Sequence, residues 1–165
     1  MEAKIGIRDE NLSAVTLSLS KILADETVLY TKTRKAHWNV EGHDFYNMHL
    51  FFEMQYKELE EIIDTVAERI RTLGHYAPAS LREYLALTQL TEQSREKNDS
   101  HGLVADLLAD HDSILITLRE NITRFAAVFK DLGTSDYITG LLEKHEKMAW
   151  MLRSQLKYVV IPDSQ

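Results

Sequence analysis

Asp44-Phe-Tyr-Asn-Met-His49-Leu-Phe-Phe-Glu53, continuing to Asp64-Thr-Val-Ala-Glu68 and on to Leu73, is the stretch whose reading decides the fold. It holds no glycine or proline, so nothing in it interrupts a helix. At 100° per residue it carries two stripes. Met48, Phe51, Phe52, Leu59, Ile62, Ile63, Val66 and Ile70 make an apolar one. His49, Glu53, Asp64 and Glu68 make a second, spread over an arc of about 100° and centred roughly 145° from the first. The residues with chemistry therefore point away from the core that the same helix builds.

Outward from this helix the chain punctuates itself. Before it, Leu12, Val15, Leu19, Ile22, Leu29 and Ala36 keep a helical stripe from Asp9, a candidate N-cap, to Trp38. Asn39-Val-Glu-Gly42 breaks that helix, and Gly42 can take a left-handed backbone. Asp44 is the expected N-cap of the second helix and Gly74 its end. Residues 75–98 form a polar connection with Pro78 and a short helix over Ser80–Leu87. A third helix is expected from Asp99 or Ser100 to Lys130, buried through Leu103, Leu107, Leu108, Ile114, Leu115, Leu118, Ile122, Phe125 and Phe129. Asp131-Leu-Gly-Thr134 then reads as a turn with Thr134 as N-cap. The fourth helix, Ser135 to Tyr158, turns Leu141, Leu142, Met148, Ala149, Met151, Leu152 and Leu156 inward and ends at Val159-Val-Ile-Pro162. Thirty-residue helices are about 45 Å long, a span that the 24-residue connection can cross. The second and third helices are thus free to run parallel.

The expected architecture is all-α: a four-helix bundle with a long crossover between helices 2 and 3 that carries a short extra helix. Residues 1–165 read as one domain, with 1–8 a short tail. Composition agrees, at 44% hydrophobic and 27% charged. With no cysteine, disulfides, thiolate metal sites and cysteine nucleophiles are excluded. No signal peptide pattern opens the chain and no apolar run approaches a membrane span, which fits a cytoplasmic protein. A net charge of −7 opposes nucleic-acid binding and suits a protein that attracts cations.

The ligand-like stripe consists of two i, i+4 pairs, His49 with Glu53 and Asp64 with Glu68. Each puts two side chains on one helix face a turn apart, as chelation requires. An isolated pair of this kind is usually solvated surface. His49 and Asp64, however, stand about 22 Å apart along the helix, so the pairs cannot share an ion within one chain. They can if an identical helix lies antiparallel across a two-fold axis near Glu58 and Leu59. One dimer would then hold two equivalent sites. His37, at the end of the first helix, would be carried to His49 by the turn at Gly42. Two histidines with carboxylates suit Fe(II), Mn(II) or Zn(II), and the carboxylate content favours iron over copper. None of the seven histidines follows a glutamate by three positions, which disfavours a di-iron site inside the bundle. His-Glu-x-x-His, P-loop, GxGxxG and GxSxG patterns are absent.

Lys35-Ala-His-Trp-Asn-Val-Glu-Gly42, Phe45-Tyr-Asn-Met-His49, Glu53 and Asp64-Thr-Val-Ala-Glu-Arg-Ile70 resemble the Dps family, the miniferritins. The likeness extends through Leu73-Gly74, Pro78 and the last helix with Trp150. It implies a ferritin-like bundle, a hollow homo-dodecamer, and ferroxidase sites shared between two-fold-related subunits. Fe(II) would be oxidised there by hydrogen peroxide or O2 and stored as Fe(III) mineral, protecting against oxidative damage. Carried over by residue, His37, His49 and Glu53 come from one subunit and Asp64 and Glu68 from its partner. Trp38, beside the site, takes up stray oxidising equivalents or simply packs. No organic cofactor is implied. For cation pores, Asp131 and Asp136 are the candidates near the start of the last helix. Asp110-His-Asp112 and Glu143-Lys-His-Glu146 read as pore lining or, by preference, solvated helix faces. Some members bind DNA through lysine-rich tails. Here residues 1–10 set Lys4 and Arg8 against Glu2, Asp9 and Glu10, and Val160–Gln165 adds no positive charge. Twelve chains at −7 carry about −84, which repels a duplex and leaves a DNA-protecting module as the alternative function.

Overall fold

A computed structural model describes residues 4–92, 95 and 97–156 of the chain. The order of elements is α1 (Asp9–Asn39), α2 (Phe45–Thr72), α3 (Leu81–Leu87), α4 (Ser100–Ala127) and α5 (Leu132–Gln155), and the described residues contain no strand. The chain is the expected four-helix bundle with its short helix in the crossover. The main packing pairs are α1 with α2 and α4 with α5, and α1 also touches α3 and α4. Asn11 Nδ2 reaches the carbonyl of Phe129, while Lys32 pairs with Asp110. Residue numbers on α4 thus fall as those on α1 rise. Both α2 and α4 oppose α1, so they run parallel to each other, as the crossover allows.

The apolar stripe of α2 is the core wall it promises to be. Met48, Phe52, Leu59, Ile62, Val66 and Ile70 are buried, with Phe51 and Ile63 half-buried. They join Leu19, Leu29, Leu118, Phe125, Ile138 and Leu152 in one core. Fully burying a side chain of this size contributes about 1.5–3 kcal/mol. One residue of the buried stripe is polar: Gln55, only 2% exposed.

Three helix ends differ from expectation. Asp9 is not the N-cap of α1: Arg8 occupies that position with extended backbone and makes no capping bond, while Asp9 and Glu10 place negative charge in the first turn. Asp44 does cap α2, but its side chain is diverted: Oδ2 accepts from Ser100 Oγ at 2.5 Å, tying the α1–α2 turn to the start of α4. The α4–α5 corner is the largest change. Helix α4 stops at Ala127, three residues before Lys130, which takes a left-handed φ of 58°. The N-cap of α5 is Asp131, whose Oδ1 accepts from the Thr134 N–H at 2.9 Å. Thr134 lies inside the helix, because an aspartate three residues upstream competes better for its N–H than Thr134 could for a later one. Asp99 caps α4, and Ser80 with Glu83 forms a reciprocal capping box on α3. The expected stop at Val159-Val-Ile-Pro162, the extension of the last helix to Tyr158 and the C-terminal tail lie outside the described residues.

Candidate metal centre

The short turn after α1 brings His37 and His49 together. Their rings stack with centroids 3.8 Å apart. Each Nδ1 lies 2.8 Å from the other's backbone carbonyl. A carbonyl only accepts, so each Nδ1 carries a hydrogen and donates it. The singly protonated ring then has its lone pair on Nε2, and two Nε2 atoms are presented side by side. This is the outer-shell arrangement that fixes tautomer and orientation in metal-binding histidines. The edge of Tyr56 stands 5.2 Å from His37, and Phe45 stacks on His49 at 5.3 Å.

Glu53, one turn beyond His49, is half-buried and bound to Lys57 at 2.5 Å. That hydrogen bond, then the ammonium charge, hold Glu53 below the usual carboxylate range, with smaller help from His37 and His49. Lys57 is correspondingly raised. Sequence reading did not single out Lys57, although its i, i+4 spacing from Glu53 was there to be read. It also passed over Arg34. The Arg34 guanidinium lies 4.5 Å from the Tyr56 ring, 5.0 Å from Trp38 and 5.6 Å from Tyr30, beside His37. Trp38 itself is 63% exposed, so within one chain it is not a packing residue.

Asp64 and Glu68 are exposed on the outward side of α2, about four and five turns beyond His49. One chain therefore brings His37, His49 and Glu53 into one neighbourhood and leaves Asp64 and Glu68 apart from it. Among the described residues, no three His, Cys, Asp or Glu side chains are placed to hold an ion. The outward face also leaves Phe45, Tyr46, Leu50 and Met54 exposed beside the ligand-like residues. Apolar residues left bare around a polar stripe are the composition of an unfilled interface.

Several other sequence candidates stand elsewhere. Asp131 is 2% exposed and committed to Thr134 and Arg69, so it cannot line a pore; its capping role overrides its charge. Asp136 is exposed. His111 and His145 are not on solvated faces or a pore: they are 1% and 0% exposed, inside the bundle. Asp110 is also buried, paired with Lys32, whereas Asp112 binds Arg153 at 2.9 Å near the surface. No described helix is long and apolar enough to cross a membrane.

A four-helix bundle with a long crossover between its second and third long helices is the ferritin-like architecture, and the ferritin-like domain pattern matches residues 17–159. Relatives narrow the class. The chain is 43% identical over 150 residues to a low temperature-induced protein of Nostoc, covering 91% of this chain and 84% of that one. It is 36% identical to DNA protection during starvation protein 2 of Bacillus anthracis, over 84% of this chain and 93% of the relative. Among solved structures, the Dps protein of Vibrio cholerae O1, a member of a broad superfamily of ferritin-like diiron-carboxylate proteins, superposes with a TM-score of 0.88 at 31% identity. That match covers 94% of this chain and 97% of the other. The chain belongs to the Dps family of ferritin-like proteins.

Proposed function

We propose that this protein is a ferroxidase and iron store, with Fe(II) as its substrate and Fe(III) mineral as its cargo. His37, His49 and Glu53 of one subunit would bind the iron together with Asp64 and Glu68 of a two-fold-related copy, in a hollow shell of twelve subunits. The observation that carries this reading is the His37–His49 pair, with both Nδ1 atoms tied to carbonyls and both Nε2 atoms free to ligate. Its support is the family, the separation of Asp64 and Glu68 from that pair, and the bare apolar residues around it.

The chemistry follows from the ligand types. Imidazole and carboxylate hold Fe(II) loosely, carboxylates stabilise Fe(III), and open positions admit an oxidant. With peroxide, two Fe(II) each give one electron, the O–O bond breaks, and both oxygens leave as water or hydroxide. Protection of DNA, the property in the name of the Bacillus relative, needs no contact with DNA on this account. Removing Fe(II) and peroxide together suffices, and a chain of net charge −7 is poorly suited to a duplex. The test is anaerobic loading with Fe(II) followed by peroxide. Ferric absorbance developing faster than in buffer, with an electron-dense core, is expected; oxidation at the buffer rate would overturn the reading.

A further inference from the structure

Inside the bundle, far from the outward face of α2, lies a charged and polar layer that the proposed function leaves unused. Glu26 of α1, His111 of α4 and His145 of α5 are each no more than 1% exposed. His145 Nε2 donates to Glu26 Oε1 at 2.9 Å. His145 Nδ1 and His111 Nδ1 face each other at 3.0 Å, which requires one hydrogen between two nitrogens that both have lone pairs to offer. Three more polar atoms in this interior find no hydrogen-bond partner among the described residues: Glu26 Oε2 and both side-chain atoms of Gln55. Buried groups without partners are uncommon and costly, and an ion or water is a usual reason for them.

The register of the helices puts Gln55 at the same level. Tyr30 meets Tyr56 across α1 and α2, and Lys32 meets Asp110 across α1 and α4. The Gln55 turn and the His111 turn therefore stand at one height along α1. The Glu58–Lys144 ion pair, 2.6 Å, places His145 one turn away. Helices α1, α2, α4 and α5 thus each contribute one inward polar side chain to adjacent turns of an otherwise apolar core.

We propose that this layer is a second metal site, binding one divalent transition-metal ion per chain between His111 Nδ1 and His145 Nδ1, inside the subunit and independent of the interfacial iron site. Two metal–nitrogen bonds of about 2.1 Å at a right angle put their nitrogens about 3.0 Å apart, matching the observed separation. The ion would sit about 1.5 Å to the side of the Nδ1–Nδ1 line, and the hydrogen that the two rings now share would be released. Glu26 is already where an outer carboxylate belongs, on the far nitrogen of a ligating histidine, and it supplies negative charge against the buried cation. The Gln55 carboxamide, buried without a partner in an adjacent turn, would offer a third, neutral donor through its oxygen. Burial and the neighbouring His145 hold His111 well below the ordinary histidine range, so it stands in the neutral form that a metal requires. A donor set of two imidazoles, an amide oxygen and one outer carboxylate suits Zn(II), Co(II) or Fe(II) and is too poor in carboxylates for a second ion.

Cobalt titration of the assembled protein tests this, with Co(II) read by its visible absorption and counted after equilibrium dialysis. A His49→Ala/Glu53→Ala/Asp64→Ala/Glu68→Ala variant, left with His37 alone of the interfacial donors, is expected to keep one Co(II) per chain. Adding His111→Gln or His145→Gln should abolish it, and Glu26→Gln should weaken it about 10–100-fold. Sizing and circular dichroism check that each variant folds. A cobalt-soaked crystal of the same fourfold variant needs no interior substitution: an anomalous peak between the two Nδ1 atoms is expected. Its absence, no bound Co(II), or binding undiminished by His111→Gln would overturn the proposal. Iron oxidation by the wild type stands or falls separately from all three results.

Discussion

His37 and His49 hold each other's backbone: each imidazole donates to the other residue's carbonyl at 2.8 Å, across the turn between α1 and α2. The pair is therefore pre-organised before any ion or second subunit arrives. His49→Ala should lower the initial rate of Fe(II) oxidation about tenfold or more while particle size is unchanged, measured by stopped-flow absorbance and sizing. His49→Gln keeps a polar side chain but not the stacked ring, and should not restore the rate. An unchanged rate in either variant would remove the pair from the iron site.

On the proposed reading, Lys57 competes with Fe(II) for Glu53. The contact is open to solvent, so screening keeps it weak. Lys57→Ala should accordingly tighten Fe(II) binding by a few-fold at most in anaerobic calorimetry. Weaker binding would show instead that Lys57 positions the carboxylate.

In metal-free protein His111 should govern the acid side of the stability profile. Its folded value lies well below the unfolded 6.5, so the unfolded chain takes up the proton first. Stability is then fully present above about pH 7 and falls as pH drops below the unfolded value, by up to ~1.4 kcal/mol per unit. Asp25 and Asp110, both raised by burial, act in the opposite sense and only in the carboxylate range. Urea denaturation between pH 7.5 and 5.5 should show this slope, and His111→Gln should flatten it.

Asp131 is predicted to be structural. Asp131→Ala removes two bonds to Thr134 and the charge beside Arg69, and should cost about 1–3 kcal/mol in urea denaturation. It should leave iron entry unchanged; slower entry at unchanged stability would restore it to a pore.

The helices, the crossover and the approach of His37 to His49 were legible because each follows from periodicity or a turn residue. Met48, Phe52, Leu59 and Ile62 keep helical spacing, and Gly42 marks the reversal. The corner at Asp131 was not, since Asp131 and Thr134 are both good caps and only the geometry of the neighbouring helix decides between them. The interior layer was misread for a different reason. Leu107, His111, Ile114 and Leu118 are spaced as one buried stripe, as are Leu141, His145, Met148 and Leu152. The spacing was present, but residue type argued for the surface and outweighed position. Glu26, between Leu23 and Leu29, carried the same signal.

The central claim is that one iron site is built from two chains, and subunit mixing tests it most directly. A His49→Ala/Glu53→Ala chain and an Asp64→Ala/Glu68→Ala chain should each be inactive alone. Dissociated, mixed equally and reassembled, they form mixed dimers for about half of all pairs, each with one intact site of two, so about a quarter of wild-type Fe(II) oxidation should return. No recovery in mixed shells of normal size would contradict the account.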